Sequence, residues 1–171
     1  MFRVSPPTPQ STVFWPRQRS THCRSTWRAR VAWIRRDTWR RGIPNTRLVI
    51  DHLGLPQAHE PPPPAEPFAD LPHLLALAAH DNIAVKISGA CTLSHEPFPY
   101  KDIWDPLFRI FDAFGFDRCM WGTDWTRAVG LLTYKQGVDA FRVTDRLSDS
   151  DRATLMGETL ARVYNWSPSK V

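Results

Sequence analysis

Three short stretches of this chain place side chains capable of proton transfer directly after apolar runs: Asp51 and His52 in "LVIDHLG", Lys86 and Ser88 in "VKISGA", and Asp124 in "RCMWGTDW". A carboxylate kept out of bulk water can take a proton from an attacking water, because loss of hydration raises its basicity. An imidazole can donate to a substrate oxygen or, when neutral, bind a metal. Each residue also has a plainer reading. His52 closes a turn before Gly54, Lys86 and Ser88 hydrogen-bond inside a fold, and Asp124 caps the helix that follows it. His59, His73, His80 and His95 read as solvated. The chain has no Gly-rich phosphate loop and no GxSxG nucleophile elbow, so nucleotide binding and serine hydrolysis gain no support.

The elements that position these residues follow from periodicity. "RLVID" (47–51), "IAVKIS" (83–88) and "RCMWG" (118–122) are short apolar, β-branched runs that suit strands buried on both faces. Between them, "DLPHLLALAAH" reads as a helix with Leu71, Leu74, Leu75 and Ala78 on one face. In "YKDIWDPLFRIFDAFG", Ile103, Leu107, Ile110, Phe111 and Phe114 form a stripe, and Pro106 requires the helix to begin nearby or kink. Two further helices are expected around 131–146 and 148–164. In the second, Ser148 is the N-cap and Met156, Leu160, Val163 and Tyr164 are the apolar face. Strand starts 36 and 35 residues apart, alternating with helices, argue for βαβ units and a parallel sheet. Such a sheet is either open and doubly wound or part of a closed eight-stranded barrel, and in both cases ligands meet the carboxyl ends of the strands. Asp51, His52, Ser88 and Asp124 all fall at those ends. Alternation puts Lys86 on the same strand face as Ser88.

Composition divides the chain near Gly42. Residues 1–41 hold ten arginines, four tryptophans and one acid, whereas the remaining 130 carry twelve bases and sixteen acids. The net charge of +5 therefore describes neither part. We read 1–41 as an Arg/Trp-rich irregular segment outside the fold, the product of a shifted reading frame or misplaced start, and 42–171 as the folded part. The segment's other readings are a nucleic-acid-binding arm, which no recognisable module accompanies, and an organelle transit peptide, whose amphipathic helix the prolines spoil. Cys23, Cys91 and Cys119 are odd in number and lack metal spacing, which argues for free thiols and a cytoplasmic location. No apolar run reaches membrane-spanning length.

"LVIDHLGLP", "VKISGA", "FGFDRCMWGTDW" and the late "ETLARVYNW", in this order, resemble the carboxyl-terminal portion of the amidohydrolase-related family. This family of barrel hydrolases includes lactonases and 2-pyrone-dicarboxylate hydrolase-like enzymes. The resemblance covers residues 43–167 and implies a partial (β/α)8 TIM barrel, whose three strand–helix units are the sixth to eighth. It implies hydrolysis of a lactone or related C–O or C–N bond in a small carboxylated substrate by activated water. Asp124 would be the general base and His52 the group that polarises the carbonyl. Both would be ligands if a divalent metal such as zinc is bound. By position, Lys86, Ser88, Tyr100 and Arg127 are assigned to substrate binding, and Trp121 and Trp125 to the pocket walls. The family's His-x-His motif is missing from this sequence. The expectation is thus a truncated hydrolase, inactive alone, with open sheet edges that favour self-association. The alternative is a small stand-alone α/β binding or interaction protein without catalysis.

Overall fold

The computed structural model describes residues 47–167. The readings of residues 1–41, Cys23 included, lie outside them. Three parallel strands, β1 (Leu48–Ile50), β2 (Ile83–Ser88) and β3 (Cys119–Gly122), pair in chain order with β2 in the centre. Leu48 lies opposite Ile83 in one ladder, and Val85 opposite Cys119 in the other. The register puts Leu48, Ile50, Ile83, Val85, Ile87, Cys119 and Trp121 on one face, and all seven join the hydrophobic core or pack on it. Ala84, Lys86, Ser88, Met120 and Gly122 face the other way and lie outside that cluster.

Helix α1 (Leu71–Leu75) tightens into a 3-10 turn over Ala76–Ala79. Its fully buried positions are therefore Leu71, Leu74 and Leu77, spaced by three, and the expected Leu75 and Ala78 are only half-buried. Helix α2 (Trp104–Phe114) accommodates Pro106 in its first turn, where no helical N–H is needed from it. The expected stripe Ile103, Leu107, Ile110, Phe111 and Phe114 is buried in full. The helix expected around 131–146 is the shorter α4 (Tyr134–Arg142), and a short α3 (Trp125–Ala128), the helix that follows Asp124, precedes it. A reciprocal Thr133–Gln136 capping box opens α4.

Ser148 accepts from the Asp151 amide at 3.1 Å and caps α5 (Asp149–Ala153). A wide π-type turn, Thr154–Glu158, then leads into α6 (Thr159–Tyr164). That turn shifts the helix phase, so Leu155 and Thr159 become the buried residues while Tyr164 stays half exposed. At the amino end of β3, Arg118 holds the carboxyl ends of two helical segments together. It donates to Phe114 O (2.7 Å), Ala78 O (3.1 Å) and His80 O (3.0 Å). No helix among the described residues is long and apolar enough to cross a membrane.

Phe141 on α4 stands against Trp104 and Trp121, with ring centroids 5.3 and 6.2 Å away, and joins α2, α4 and β3. Phe141→Ala should lower the unfolding free energy by about 3–5 kcal/mol, read from urea denaturation. Cys91 and Cys119 are free and buried, and burial pushes both thiols up from 9.0 to about 12. Between those values the unfolded chain releases thiol protons that the folded chain retains. Stability should accordingly fall as pH rises above 9, with a shallower fall in Cys119→Ala, measured as the urea midpoint against pH.

Candidate active site

The carboxyl ends of the three strands bring together His52, Ser88, Asp124 and Arg127. After β1 the chain turns at once, with His52 and Leu53 both in the left-handed region (φ 53° and 58°). This turn buries Leu53 in the core and sends the His52 ring towards β2, where Nδ1 lies 2.9 Å from Ser88 Oγ. The same Nδ1 is 3.4 Å from Asp124 Oδ2. Asp124 follows β3 at φ 54°, another left-handed residue without glycine's freedom. Such backbone costs of order 1–3 kcal/mol and persists only where its surroundings enforce it.

Asp124 does occupy the N-cap position of α3. Its main-chain oxygen accepts from the Arg127 and Ala128 amides, but its side chain makes no cap bond. The carboxylate turns instead to Arg127, whose Nε donates to Oδ2 at 2.5 Å. Both side chains are about nine-tenths buried. Arg127 Nη2 donates to Gln57 Oε1 and Thr92 Oγ1, each at 2.9 Å, and Nη1 donates to Ala58 O. Gln57 Nε2 returns to His52 O at 3.2 Å, which closes the network on the β1 loop.

The pairing of inner atoms leaves the outer ones for chemistry. Asp124 Oδ1 and His52 Nε2 make no hydrogen bond to any described residue. If Ser88 donates to Nδ1, Nε2 carries the proton and can donate to a carbonyl oxygen; if Nδ1 carries it, Nε2 offers a lone pair. Among the described residues no three His, Cys, Asp or Glu side chains cluster closely enough to hold a metal ion. His52 and Asp124 would supply two ligands, and a catalytic zinc takes three from protein. The donor set is short of a complete metal site.

The remaining sequence-assigned residues sit elsewhere. Lys86 shares the strand face opposite the core with Ser88, but its Nζ pairs with Asp51 Oδ1 at 2.8 Å and lies 6.0 Å from the Tyr164 ring. Partial burial opposes its charge, yet the bond and charge of Asp51, helped by Tyr164, hold the ammonium above its usual value. Tyr100 is buried edge-on to Phe98 and lines a cleft of about 320 Å³ with Ala58 and Thr92 of the Arg127 network, Cys91 and Gln136. Burial, then the neighbouring Cys91, raise its phenol. Trp121 does not wall the pocket: alternation along β3 turns it into the core, away from the side of Gly122. Trp125 meets Tyr134 edge-on at 5.3 Å.

Sequence reasoning missed Gln57, Thr92 and Gly89. The first two carry no local signal, but a glycine directly after the strand-end Ser88 did. Gly89 has φ 74°, and a Cβ there would come within 2.5 Å of Arg127 Nη2 and 2.7 Å of Gln57 Oε1. Gly89→Ala should destabilise the fold by about 1–2 kcal/mol from backbone strain alone, with the clash adding to it. The urea midpoint is the check.

The chain is similar to several known proteins. The amidohydrolase family model matches residues 26–166, beginning inside the Arg/Trp-rich segment. An L-fucono-1,5-lactonase of Burkholderia ambifaria is 37% identical over 90 residues, 50% of this chain and 28% of its own length. A 4-sulfomuconolactone hydrolase of Rhizobium radiobacter is 33% identical over 82 residues, 47% of this chain and 25% of its own. The crystal structure of an amidohydrolase from Burkholderia multivorans with bound zinc superposes with a TM-score of 0.61 at 27% identity. That match covers 83% of this chain and 50% of the other. The matched region is thus about a quarter of each curated relative and half of the solved structure. With the family model spanning most of its length, this chain belongs to the amidohydrolase family.

Proposed function

We propose that residues 47–167 are the last three units of a (β/α)8 barrel and carry the Asp124–His52 part of a hydrolase site. The reaction is the opening of a lactone, or a related C–O or C–N bond, in a small carboxylated substrate. The observation that carries this reading is the orientation of Asp124. A residue whose job was to cap α3 would bond that helix's amides, whereas this one, on strained backbone, turns its carboxylate to Arg127 and brings it near His52. Among the described residues the hydrophobic cluster lies on the face of the sheet that carries Ile83, Val85 and Ile87, an arrangement compatible with a barrel wall. β1 and β3 are the edges at which further barrel strands, or a second copy, would pair. Free Cys91 and Cys119 suit a reducing, cytoplasmic setting.

In this reading Asp124 Oδ1 takes a proton from water as the water oxygen attacks the acyl carbon. His52 Nε2–H, in the tautomer in which Ser88 donates to Nδ1, donates to the carbonyl oxygen as it gains charge. When the ring C–O bond breaks, the proton held by Asp124 passes to the leaving oxygen, giving a hydroxy acid. A divalent metal held by His52, Asp124 and further ligands outside the described residues would act as a Lewis acid on the same carbonyl.

The chain alone is expected to be inactive. Co-expression with an amino-terminal fragment of a full-length family lactonase, covering its first five units, supplies the missing strands. The pair should hydrolyse a member of a panel of sugar lactones, muconolactones and pyrone dicarboxylates, and Asp124→Asn should slow it by about 10²–10⁴-fold. Turnover that survives Asp124→Asn removes the base assignment. Ligand binding that is unchanged in Asp124→Asn, with no turnover from the chain or the pair, favours the stand-alone binding protein.

A further inference from the structure

We propose that Arg127 is a positioning residue for Asp124, a latch that fixes the working carboxylate, and that it is not an anchor for a substrate carboxylate. The proposal rests on the reading of Asp124 as the working carboxylate. A guanidinium has five N–H donors in a fixed fork. Here Nε is bonded to Asp124 Oδ2, Nη1 to Ala58 O, and Nη2 to Gln57 Oε1 and Thr92 Oγ1. Four donors are committed to protein, and the side chain is 8% exposed. A substrate carboxylate would have to displace these bonds and compete with Asp124 for the same cation.

The four partners come from three loops. Gln57 and Ala58 follow β1, Thr92 follows β2, and Asp124 follows β3. Arg127 is therefore, among the described residues, the one side chain that bonds all three strand-end loops at once. Its effect on Asp124 is directional. By occupying Oδ2 it leaves Oδ1 for a proton, and it holds the residue at φ 54° with Oδ2 near His52 Nδ1. Space for the guanidinium exists only because residue 89 has no side chain.

Nitrogen-15 NMR of the full-length chain tests the latch without requiring turnover. The Arg127 Nε–H should be protected from solvent exchange, and Asp124→Asn should abolish that protection. The His52 ring resonances should move in the same direction and by a similar amount in Arg127→Met and Asp124→Asn. Arg118→Met, at the other end of β3, should lower the urea midpoint and leave the His52 resonances in place. That control separates positioning from a general loss of stability. If Arg127→Met does not fold, the Nε–H reading in the near-isosteric Asp124→Asn decides. An Arg127 Nε–H that exchanges as fast as that of an exposed arginine overturns the proposal, as does a His52 signal unmoved by Arg127→Met in a folded chain. Failure of the complementation assay with the latch signature intact would count against the hydrolase reading alone.

Discussion

The buried ion pair between Arg127 and Asp124 is the constraint on which the rim depends. Two charges withdrawn from water gain little unless their remaining donors and acceptors are satisfied, and removal of one partner from such a pair costs about 3–5 kcal/mol. Here the guanidinium is satisfied by one carbonyl, one amide side chain and one hydroxyl besides the carboxylate. The pair therefore sets where the loops after β1, β2 and β3 can lie. Without it, Asp124 has no evident reason to leave helical or extended backbone.

Left-handed backbone at His52 and Asp124 follows from the same arrangement. Each residue ends a strand whose last side chains alternate between core and inner face, and each must turn sharply to put its functional group beside the neighbouring strand. The inner atoms, Nδ1 and Oδ2, are then consumed by Ser88, Arg127 and each other. The outer atoms, Nε2 and Oδ1, keep no hydrogen-bond partner among the described residues. This division suits general base chemistry, and it equally suits ligation, because metal-binding imidazoles and carboxylates use outer-shell partners of this kind.

Beneath the rim, the sheet is asymmetric. One face carries the aliphatic and aromatic core against α1, α2 and α4, and the other carries Lys86, Ser88 and Gly122 among small or flexible residues. Lys86 keeps its charge on that second face through Asp51, the residue next to His52, so the ammonium ties the end of β1 to β2. Arg118 does the corresponding work at the amino ends, on helix carbonyls instead of carboxylates.

The sequence by itself determined the strands, because short β-branched runs between helical stripes fit little else, and it determined that His52, Ser88 and Asp124 stand at their ends. The caps at Ser148 and the stripe of α2 were equally legible, since both depend on residues within one or two turns of each other. Helix phase was not: the 3-10 turn after Leu75 and the π-type turn at Thr154–Glu158 moved the buried positions to Leu77, Leu155 and Thr159, and tertiary packing overrode the 3.6-residue count. Only the tertiary structure decided what Arg127 and Lys86 do. Apart from Asp124, three residues before Arg127, their partners lie 35 residues or more away in sequence, at Gln57, Ala58 and Thr92 for Arg127 and at Asp51 for Lys86. A cation read from sequence has an open choice of anion or acceptor; folding removes that choice by bringing one set within hydrogen-bond reach.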